Sequence, residues 1–365
     1  MKYLISGGGT GGHIFPAISI ANALKEQDPD AEILFVGALS RMEMERVPEA
    51  GYQIVGLPVR GFNRSQPWKN ISVLFDLFRS LRQAKQIVRQ FKPDVAIGVG
   101  GYASGAAMKA AAWEHIPVLL QEQNGFAGVT NKLLKNDAAK ICVAYEGMER
   151  FFPKEKIILT GNPVRQNLTQ GSPVAACEFF NNQFGVHFVP DRPTLLIIGG
   201  SLGARTINLS IEQGLDQFLA EGIQVIWQTG KNYFNQIQPR EGVVITPFLN
   251  NMPDAYALAD IVISRAGASS ISELCLLGKA AILVPSPNVA EDHQTHNAMA
   301  LVNRGAACIV KDKDAQSQLV SVALQLFQDN EQQQSLRKQI ALLAQPDSAA
   351  RIAREAQKLI KHLAE

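Results

Sequence analysis

"YLISGGGTGGHIFP" (residues 3–16) sets five glycines and a threonine between a short apolar run and a histidine. Tyr3–Ser6 has the length and residue types of a buried strand, and the apolar spacing that resumes at Phe15 is that of a helix reaching about Gln27. A strand that passes through glycines into a helix frees backbone N–H groups at the positive end of the helix dipole, where a ligand approaches closely. The same order returns at "TLLIIGGSLGARTINLSIEQGL" (residues 194–215). Around these stretches short β-branched runs (32–36, 95–99, 118–121, 140–144, 157–160) alternate with helix-period segments (73–90, 103–115). Alternation of this kind implies parallel sheets. "GNPVR" (161–165) ends the first series with turn residues, and 166–193 reads as irregular. The expected fold is α/β, with two Rossmann-like domains joined near residue 162.

A length of 365 residues suits two domains, and 46% hydrophobic with 19% charged residues is the balance of a globular chain with ample core. The net charge of +2 hides a local excess: eight Lys/Arg lie between Arg60 and Lys92 against one acid, Asp76. Cys142, Cys177, Cys275 and Cys308 are scattered in apolar or helix-like surroundings, so buried free thiols in a reducing compartment are expected. "MKYLIS" runs straight into glycines, too short for the apolar core of a secretion leader, and no apolar run is long enough to span a bilayer. After Pro346 a terminal helix is expected, capped by Asp347. Its stripe Ile352, Ala356, Leu359, Ile360, Leu363 needs a partner surface, for which the first domain is a candidate.

Three kinds of protein commonly own such a glycine loop. A P-loop NTPase needs Lys-Ser/Thr after the last glycine, where this chain has "GGHIFP". A dinucleotide-binding dehydrogenase needs an acid at the tip of the second strand, and "LFVGALSR" has none there. Two glycine-loop domains in one chain suit the third owner, a sugar-nucleotide enzyme in which one domain holds the nucleotide diphosphate and the other serves the acceptor.

"GGGTGGHIFPA", "GVGGYASG", "EQNGFAGVTNK", "GNPVR", "GGSLGARTIN" and "SRAGASSISELCLLGKAAILVPSPNVAEDHQTHNA" together resemble the MurG family of N-acetylglucosaminyltransferases, in the family's order, from residue 3 to about 305. The resemblance implies the GT-B fold, two Rossmann-like domains with parallel sheets facing each other across a cleft. It assigns 1–162 to an acceptor-side, membrane-facing domain, 163–345 to a UDP-GlcNAc-binding domain, and 346–365 to a helix returning to the first. The implied reaction is inverting transfer of GlcNAc from UDP-GlcNAc to the MurNAc 4-hydroxyl of lipid I, giving lipid II for peptidoglycan. Its setting would be the cytoplasmic face of the membrane, peripherally bound and open to a cell-wall synthesis complex. On the same resemblance Thr10, Gly11 and Gly12 match the donor-contacting first loop, Asn124 a residue at the donor sugar, and Arg165 the donor side of the cleft. Ser201 faces the diphosphate, the backbone of Leu249 meets uracil, Ala268, Ser269, Ser270, Ile271, Ser272 and Glu273 form the helix start on ribose and sugar, and Gln294 reads the GlcNAc hydroxyls. Gln121 departs from the family's common histidine, Leu202 from its glutamine, and "NVAEDHQTHN" differs in length.

His13 is the candidate general base for the acceptor hydroxyl, because an ordinary imidazole is mostly neutral near pH 7 and accepts a proton. Its bland alternative is a loop-packing histidine. Ser270-x-x-Glu273 also has the spacing of a helix capping box, so on pattern alone Glu273 is either cap partner or ribose ligand. His293 and His296 beside Glu291 and Asp292 make at most a metal half-site, and "DPD" (28–30) and "DKD" (312–314) read as surface turns. No cofactor or essential metal is therefore expected, and helix dipoles with Arg165 would face the leaving diphosphate, each dipole interaction worth about 0.3–1 kcal/mol. In the basic stretch near 68–92, Ile71, Leu74, Phe75, Phe78 and Leu81 form a helical stripe behind Trp68, with Lys69, Arg79, Arg82 and Lys85 close by. That is either an amphipathic core helix or a surface for anionic lipid, and a lipid-linked acceptor favours the second. No groove-reading motif supports nucleic acid. The rival functions are a UDP-GlcNAc 2-epimerase, which shares the architecture, and a silent nucleotide-sugar-binding scaffold.

Overall fold

Runs such as Leu4-Ile5, Val95–Val99 and Leu195–Ile198 are apolar on both faces, and such strands are stable only where helices cover both sides of a parallel sheet. A computed structural model describes residues 1–9, 11–59, 70–164, 168–289 and 292–361, with the backbone only for 70–74 and 361. Two units result, Met1–Val164 together with Gln345–Glu365, and Arg165–Ala344.

Among the described residues, the first unit contains β1 (Lys2–Gly7), α1 (Gly11–Gln27), β2 (Glu32–Ala38), α2 (Glu43–Glu49), β3 (Gln53–Leu57), α3 (Asn70–Phe91) and β4 (Val95–Gly100). It continues through α4 (Tyr102–Trp113), β5 (Val118–Glu122), α5 (Val129–Leu134), β6 (Lys140–Val143) and β7 (Ile157–Leu159). The strands are parallel in the order β3-β2-β1-β4-β5-β6-β7, so the direction of winding reverses between β1 and β4. Neighbouring residues serve opposite faces. Tyr3, Ile5, Val95 and Ile97 join a core with Ile14, Ile20 and Leu24 of α1, whereas Leu4, Ala96 and Leu120 join one with Ala107, Met108 and Ala84 of α4 and α3.

The second unit contains α6 (Pro173–Phe184), β8 (Thr194–Ile198), α7 (Arg205–Ala220), β9 (Gln224–Gln228), β10 (Val243–Thr246), α8 (Met252–Leu258) and β11 (Ile261–Ser264). After these come α9 (Ala268–Leu277), β12 (Ala280–Leu283), α10 (His293–Val302), β13 (Cys308–Ile309), α11 (Ala315–Gln328) and α12 (Asn330–Ala341). Its parallel order is β10-β9-β8-β11-β12-β13, reversing between β8 and β11. The last helix, α13 (Ser348–Lys361), belongs to the first unit: Ile352, Ala353 and Ala356 are fully buried in the same core as α1, with Leu359 and Ile360 partly so. Leu363 lies outside the described residues.

Several expectations are corrected. Helix α1 starts at Gly11, four residues earlier than expected, because glycine occupies helical dihedrals despite its poor propensity. His13 therefore stands on the first turn of a helix. Helix α2 and strand β3 were not anticipated. Residues 173–184, expected to be irregular, form α6, which has Pro173 in its first turn and a left-handed Gly185 at its end, both ordinary helix boundaries. Asp347 takes φ +57° rather than the extended conformation of a cap. Cys142, Cys177 and Cys275 are buried free thiols as expected, but Cys308 is only partly covered.

Candidate active site

In doubly wound sheets, ligands bind beyond the carboxyl ends of the strands where the winding reverses. Each unit puts a glycine loop at that place. In the first, Gly7 to Gly11 joins β1 to α1, and Gly100-Gly101 joins β4 to α4. The two turns touch: Gly8 N–H donates to the carbonyl of Gly100 (3.3 Å), and a Cβ on Gly101 would run into the Gly8 backbone. Gly100 itself (φ +100°) has no room for a side chain because the His13 imidazole lies there, at 2.8 Å from where the Cβ would be. Gly12 is exposed, with Gly11 and His13 half-buried at the same end of the sheet. Thr10 lies outside the described residues.

The "EQN" turn after β5 adds a buried polar network. The Gln123 amide donates to Val99 O (2.7 Å) and to the side-chain oxygen of Gln121, and Gln121 donates to Asn162 (2.9 Å), which donates to Gln123 O (2.9 Å). Glu122 accepts N–H groups from Gly128 (2.9 Å), Asn131 (2.9 Å) and Asn124 (3.2 Å). Burial pushes the Glu122 carboxyl above its ordinary range, and those donors only partly offset it. Asn124, the expected sugar contact, is thus oriented by Glu122 and remains half-buried. The departure at Gln121 has a structural role: an amide at that position both donates and accepts inside the network, bridging Asn162 and Gln123.

Glu43, one of the residues the sequence reading missed, lies beneath the first glycine loop. It is fully buried, with Oε2 accepting Gly9 N–H (3.0 Å) and Oε1 accepting Ala38 N–H (2.9 Å). The second strand ends in "LFVGALSR", without an acid at its tip. One is present five residues past Ala38, turned inward rather than toward a ligand.

In the second unit the loop after β8 is braced by backbone. Gly203 (φ +88°) abuts Thr229 O and the Tyr233 ring, and a Cβ on Gly230 (φ +82°) would strike the backbone of Gly203. Lys231 N–H donates to Ser201 O (3.1 Å), so half-buried Ser201 is held while Leu202 stays exposed. Asn208 of α7 ties this brace to the core, donating to Thr229 O (2.9 Å) and accepting from the Trp227 indole (3.0 Å).

Across the reversal, the turn Arg265–Gly267 leads from β11 into α9. Gly267 occupies the cap position without a side-chain cap, and Ser270 is already the third helical residue. The capping-box reading of Ser270 and Glu273 therefore fails. Glu273 accepts the hydroxyl of buried Tyr256 (3.0 Å), and Ser272 bonds back to Ala268 O (2.9 Å). Ala268 and Ile271 are buried, while Ser269, Ser270, Ser272 and Glu273 are half-buried on the first two turns. Gln294 accepts Ser286 N–H (2.9 Å), securing the loop after β12, and Asn297 donates to Ala266 O (3.3 Å). Leu249 buries its side chain in the turn between β10 and α8. Arg165 lies outside the described residues.

Asp312 corrects another expectation. Read as part of a surface turn, it instead pairs with Arg265 and accepts the Thr206 hydroxyl (2.9 Å), linking the ends of β11 and β13 to the start of α7. Two residues on, the backbone carbonyl of Asp314 accepts the Ser317 hydroxyl (3.0 Å). Among the described residues no three His, Cys, Asp or Glu side chains gather as a metal site.

On α3, Phe75 and Phe78 are 75% and 72% exposed, with Arg79 and Arg82 exposed beside them, while Ser80, Ala84, Ile87 and Val88 face inward. Lys85 and Arg89 pair with Glu114 (3.2 and 3.0 Å), so two of the basic residues are engaged within the unit. Arg60, Arg64, Trp68 and Lys69 lie outside the described residues, as do the side chains of Ile71 and Leu74. No described helix is long and apolar enough to cross a membrane.

Residues 3–143 match the glycosyltransferase family 28 N-terminal domain and residues 194–352 its C-terminal domain. A UDP-N-acetylglucosamine–N-acetylmuramyl-(pentapeptide) pyrophosphoryl-undecaprenol N-acetylglucosamine transferase of Parabacteroides distasonis is 56% identical over 98% of this chain and 98% of its own. Its counterpart in Bacteroides fragilis is 57% identical over 98% of this chain and 96% of its own. The crystal structure of Acinetobacter baumannii MurG superposes with a TM-score of 0.75 at 27% identity, covering 98% of this chain and 99% of that one. A UDP-N-acetylglucosamine 2-epimerase structure from Listeria monocytogenes (TM-score 0.67, 12% identity, 100% and 96% covered) shares the fold alone. The GT-B fold expected from the sequence is the fold found. Since both family domains match in order and relatives are more than half identical along nearly the whole length, the chain belongs to the MurG family of glycosyltransferase family 28.

Proposed function

We propose that this protein transfers N-acetylglucosamine from UDP-GlcNAc to the MurNAc 4-hydroxyl of lipid I with inversion, yielding lipid II and UDP. The observation that carries the reading is the 56–57% identity, over 98% of the chain, to transferases named for a lipid-linked N-acetylmuramyl-pentapeptide acceptor. The geometry supports a division of labour. The second unit would hold the donor: its diphosphate over Gly199–Gly203 beside Ser201 and Arg165, its uracil at the Leu249 backbone, its ribose on Glu273, its sugar toward the start of α9 and Gln294. The Tyr256 hydroxyl keeps one Glu273 oxygen directed before substrate arrives, so less ordering remains to be done on binding.

The first unit would take the acceptor beside the first glycine loop and His13, with Thr10, Gly11 and Gly12 of that loop also contacting the donor and Asn124 toward the donor sugar. His13 accepts the proton of the 4-hydroxyl as its oxygen forms the new bond to the anomeric carbon. The bond from that carbon to the diphosphate oxygen breaks, and UDP departs with the electron pair. A positioned base of this kind contributes about 10²–10⁴-fold. No metal or organic cofactor is assigned a step. The exposed Phe75 and Phe78 with Arg79 and Arg82 suit a peripheral seat on an anionic membrane at the cytoplasmic face, near a lipid-linked acceptor.

The test is UDP release with a soluble lipid I analogue, beside a control with UDP-GlcNAc alone. Acceptor-dependent UDP and a β-linked disaccharide product are expected. Appearance of UDP-ManNAc in the control identifies an epimerase and overturns the proposal, as does silence in both arms.

A further inference from the structure

Glu43 is acidic and fully buried, yet no described residue of the donor or acceptor machinery in the proposed function uses it. Its surroundings are built around it. A Cβ on Gly8 would occupy the place of its carboxyl group, and one on Gly37 would strike its Cγ. Two glycines on different elements, the β1–α1 loop and the end of β2, thus leave room for one side chain. The carboxyl oxygens then divide: one accepts from Ala38 at the end of β2, the other from Gly9 in the loop. Gly9 is exposed, takes φ +89° and has nothing within 4 Å of where a Cβ would be. A glycine in open space loses more freedom on ordering than any other residue, so this loop needs an external tether to keep one shape.

The tether reaches the reacting residues in two steps. Gly8 N–H bonds to Gly100 O, and the Gly101 backbone packs on Gly8. Gly100 is the surface on which the His13 imidazole rests. We propose that Glu43 is a positioning residue, whose buried carboxyl group nails the first glycine loop to the tip of β2 and thereby fixes the seat of His13 and the floor for the acceptor. The inference rests on the reading of this loop as the acceptor side. It also explains why this loop makes a poor diphosphate cradle: the N–H of Gly9 is already taken by an internal carboxyl group.

Glu43→Gln keeps the shape but replaces one acceptor oxygen with an NH₂ group, so one of the two backbone N–H groups loses its partner. Gly8→Ala attacks the same contact from the other side by placing a methyl where the carboxyl lies. Both are assayed for transfer to a lipid I analogue, with hydrogen exchange at glycine amides followed by NMR on ¹⁵N-glycine-labelled protein. Misplacement by ~1 Å costs on the order of 10²-fold. We therefore expect kcat or kcat/KM for the acceptor to fall by about tenfold or more in both variants, and the affinity for UDP alone, which the second unit would hold, to stay within about twofold. The Gly9 amide exchanges faster in Glu43→Gln, and Glu43→Asp recovers part of the activity. If Glu43→Gln fails to fold, the Gly8→Ala result decides. Wild-type turnover despite fast Gly9 exchange overturns the inference, as does a parallel loss of affinity for UDP alone. Wild-type protein that turns over no acceptor overturns the parent function instead, and is distinguishable because the exchange measurement needs no substrate.

Discussion

The loop after β1 leans on a side chain, Glu43, whereas the loop after β8 leans on the backbone of the turn after β9. Both stand where a parallel sheet reverses its winding, and both are glycine-rich, but they are fixed by different chemistry. In the loop after β8 the N–H partners among the described residues are main-chain: Gly199 N–H donates to Gln228 O (3.3 Å) and Gly203 N–H to Gly200 O (3.0 Å), with no buried carboxyl group among them. A carboxyl brace takes up one N–H and sets the others by geometry. The first arrangement suits an anion, the second a neutral hydroxyl that must be aimed.

The largest effect expected is from His13→Ala, which should lower kcat by about 10²–10⁴-fold while leaving UDP binding by calorimetry unchanged. Unchanged turnover would remove the catalytic role from the first loop and collapse the contrast. Glu273→Ala comes next. Loss of a hydrogen bond to a charged group costs about 1.5–3 kcal/mol, so UDP-GlcNAc affinity should drop about 10–150-fold, with acceptor KM unaffected. Gly230→Ala tests the backbone brace directly. A side chain at φ +82°, pressed against Gly203, should destabilise the second unit by about 1–3 kcal/mol. The corresponding calorimetric transition should move down by about 2–10 °C with the other unit's transition in place.

The smallest effect separates the units by pH. Burial holds Lys279 at a pKa of about 8 against an ordinary 10.5, with its ammonium nitrogen 2.8 Å from Ala259 O. Between those values the unfolded chain binds more protons at this lysine than the folded one, so Lys279 adds stability to the second unit as pH rises from about 8, until the thiols of Cys177, Cys275 and Cys308, raised from 9.0 by burial, begin to act against it. Glu122 acts in the opposite sense on the first unit. Its raised pKa favours the folded state below 4.5, and that contribution is lost as pH climbs through the raised value. Scanning calorimetry should show the second unit's transition rising between about pH 8 and 9, and Lys279→Met should abolish that gain.

What the sequence revealed and what it concealed follow from the range of the interactions. Strand, glycine loop and helix are local, so both loops and the returning α13 stripe were readable from periodicity. The supports are not local. Glu43 sits between two methionines in a short helix with no pattern to mark it, and only the packing of β2 beside β1 brings it under Gly9. Gln121 and Asn162 are 41 residues apart, and Thr206 and Asp312 are 106 apart. Helix α6 was legible in principle, since Pro173 and Gly185 bracket it, but its polar Asn-Asn-Gln stretch obscured the buried Ala176, Cys177 and Phe180.

The burial of Ile352, Ala353 and Ala356 against α1 has a consequence for synthesis. Residues 1–164 leave the ribosome as part of a unit whose last helix is made only after residues 165–344 have followed. At about 5–20 residues per second, the N-terminal sheet waits roughly 10–40 s for its missing face. During that interval the second unit, continuous in the chain, can complete its own fold. The second unit can thus be complete before the first, and until α13 is made the surface of α1 that it covers stays open.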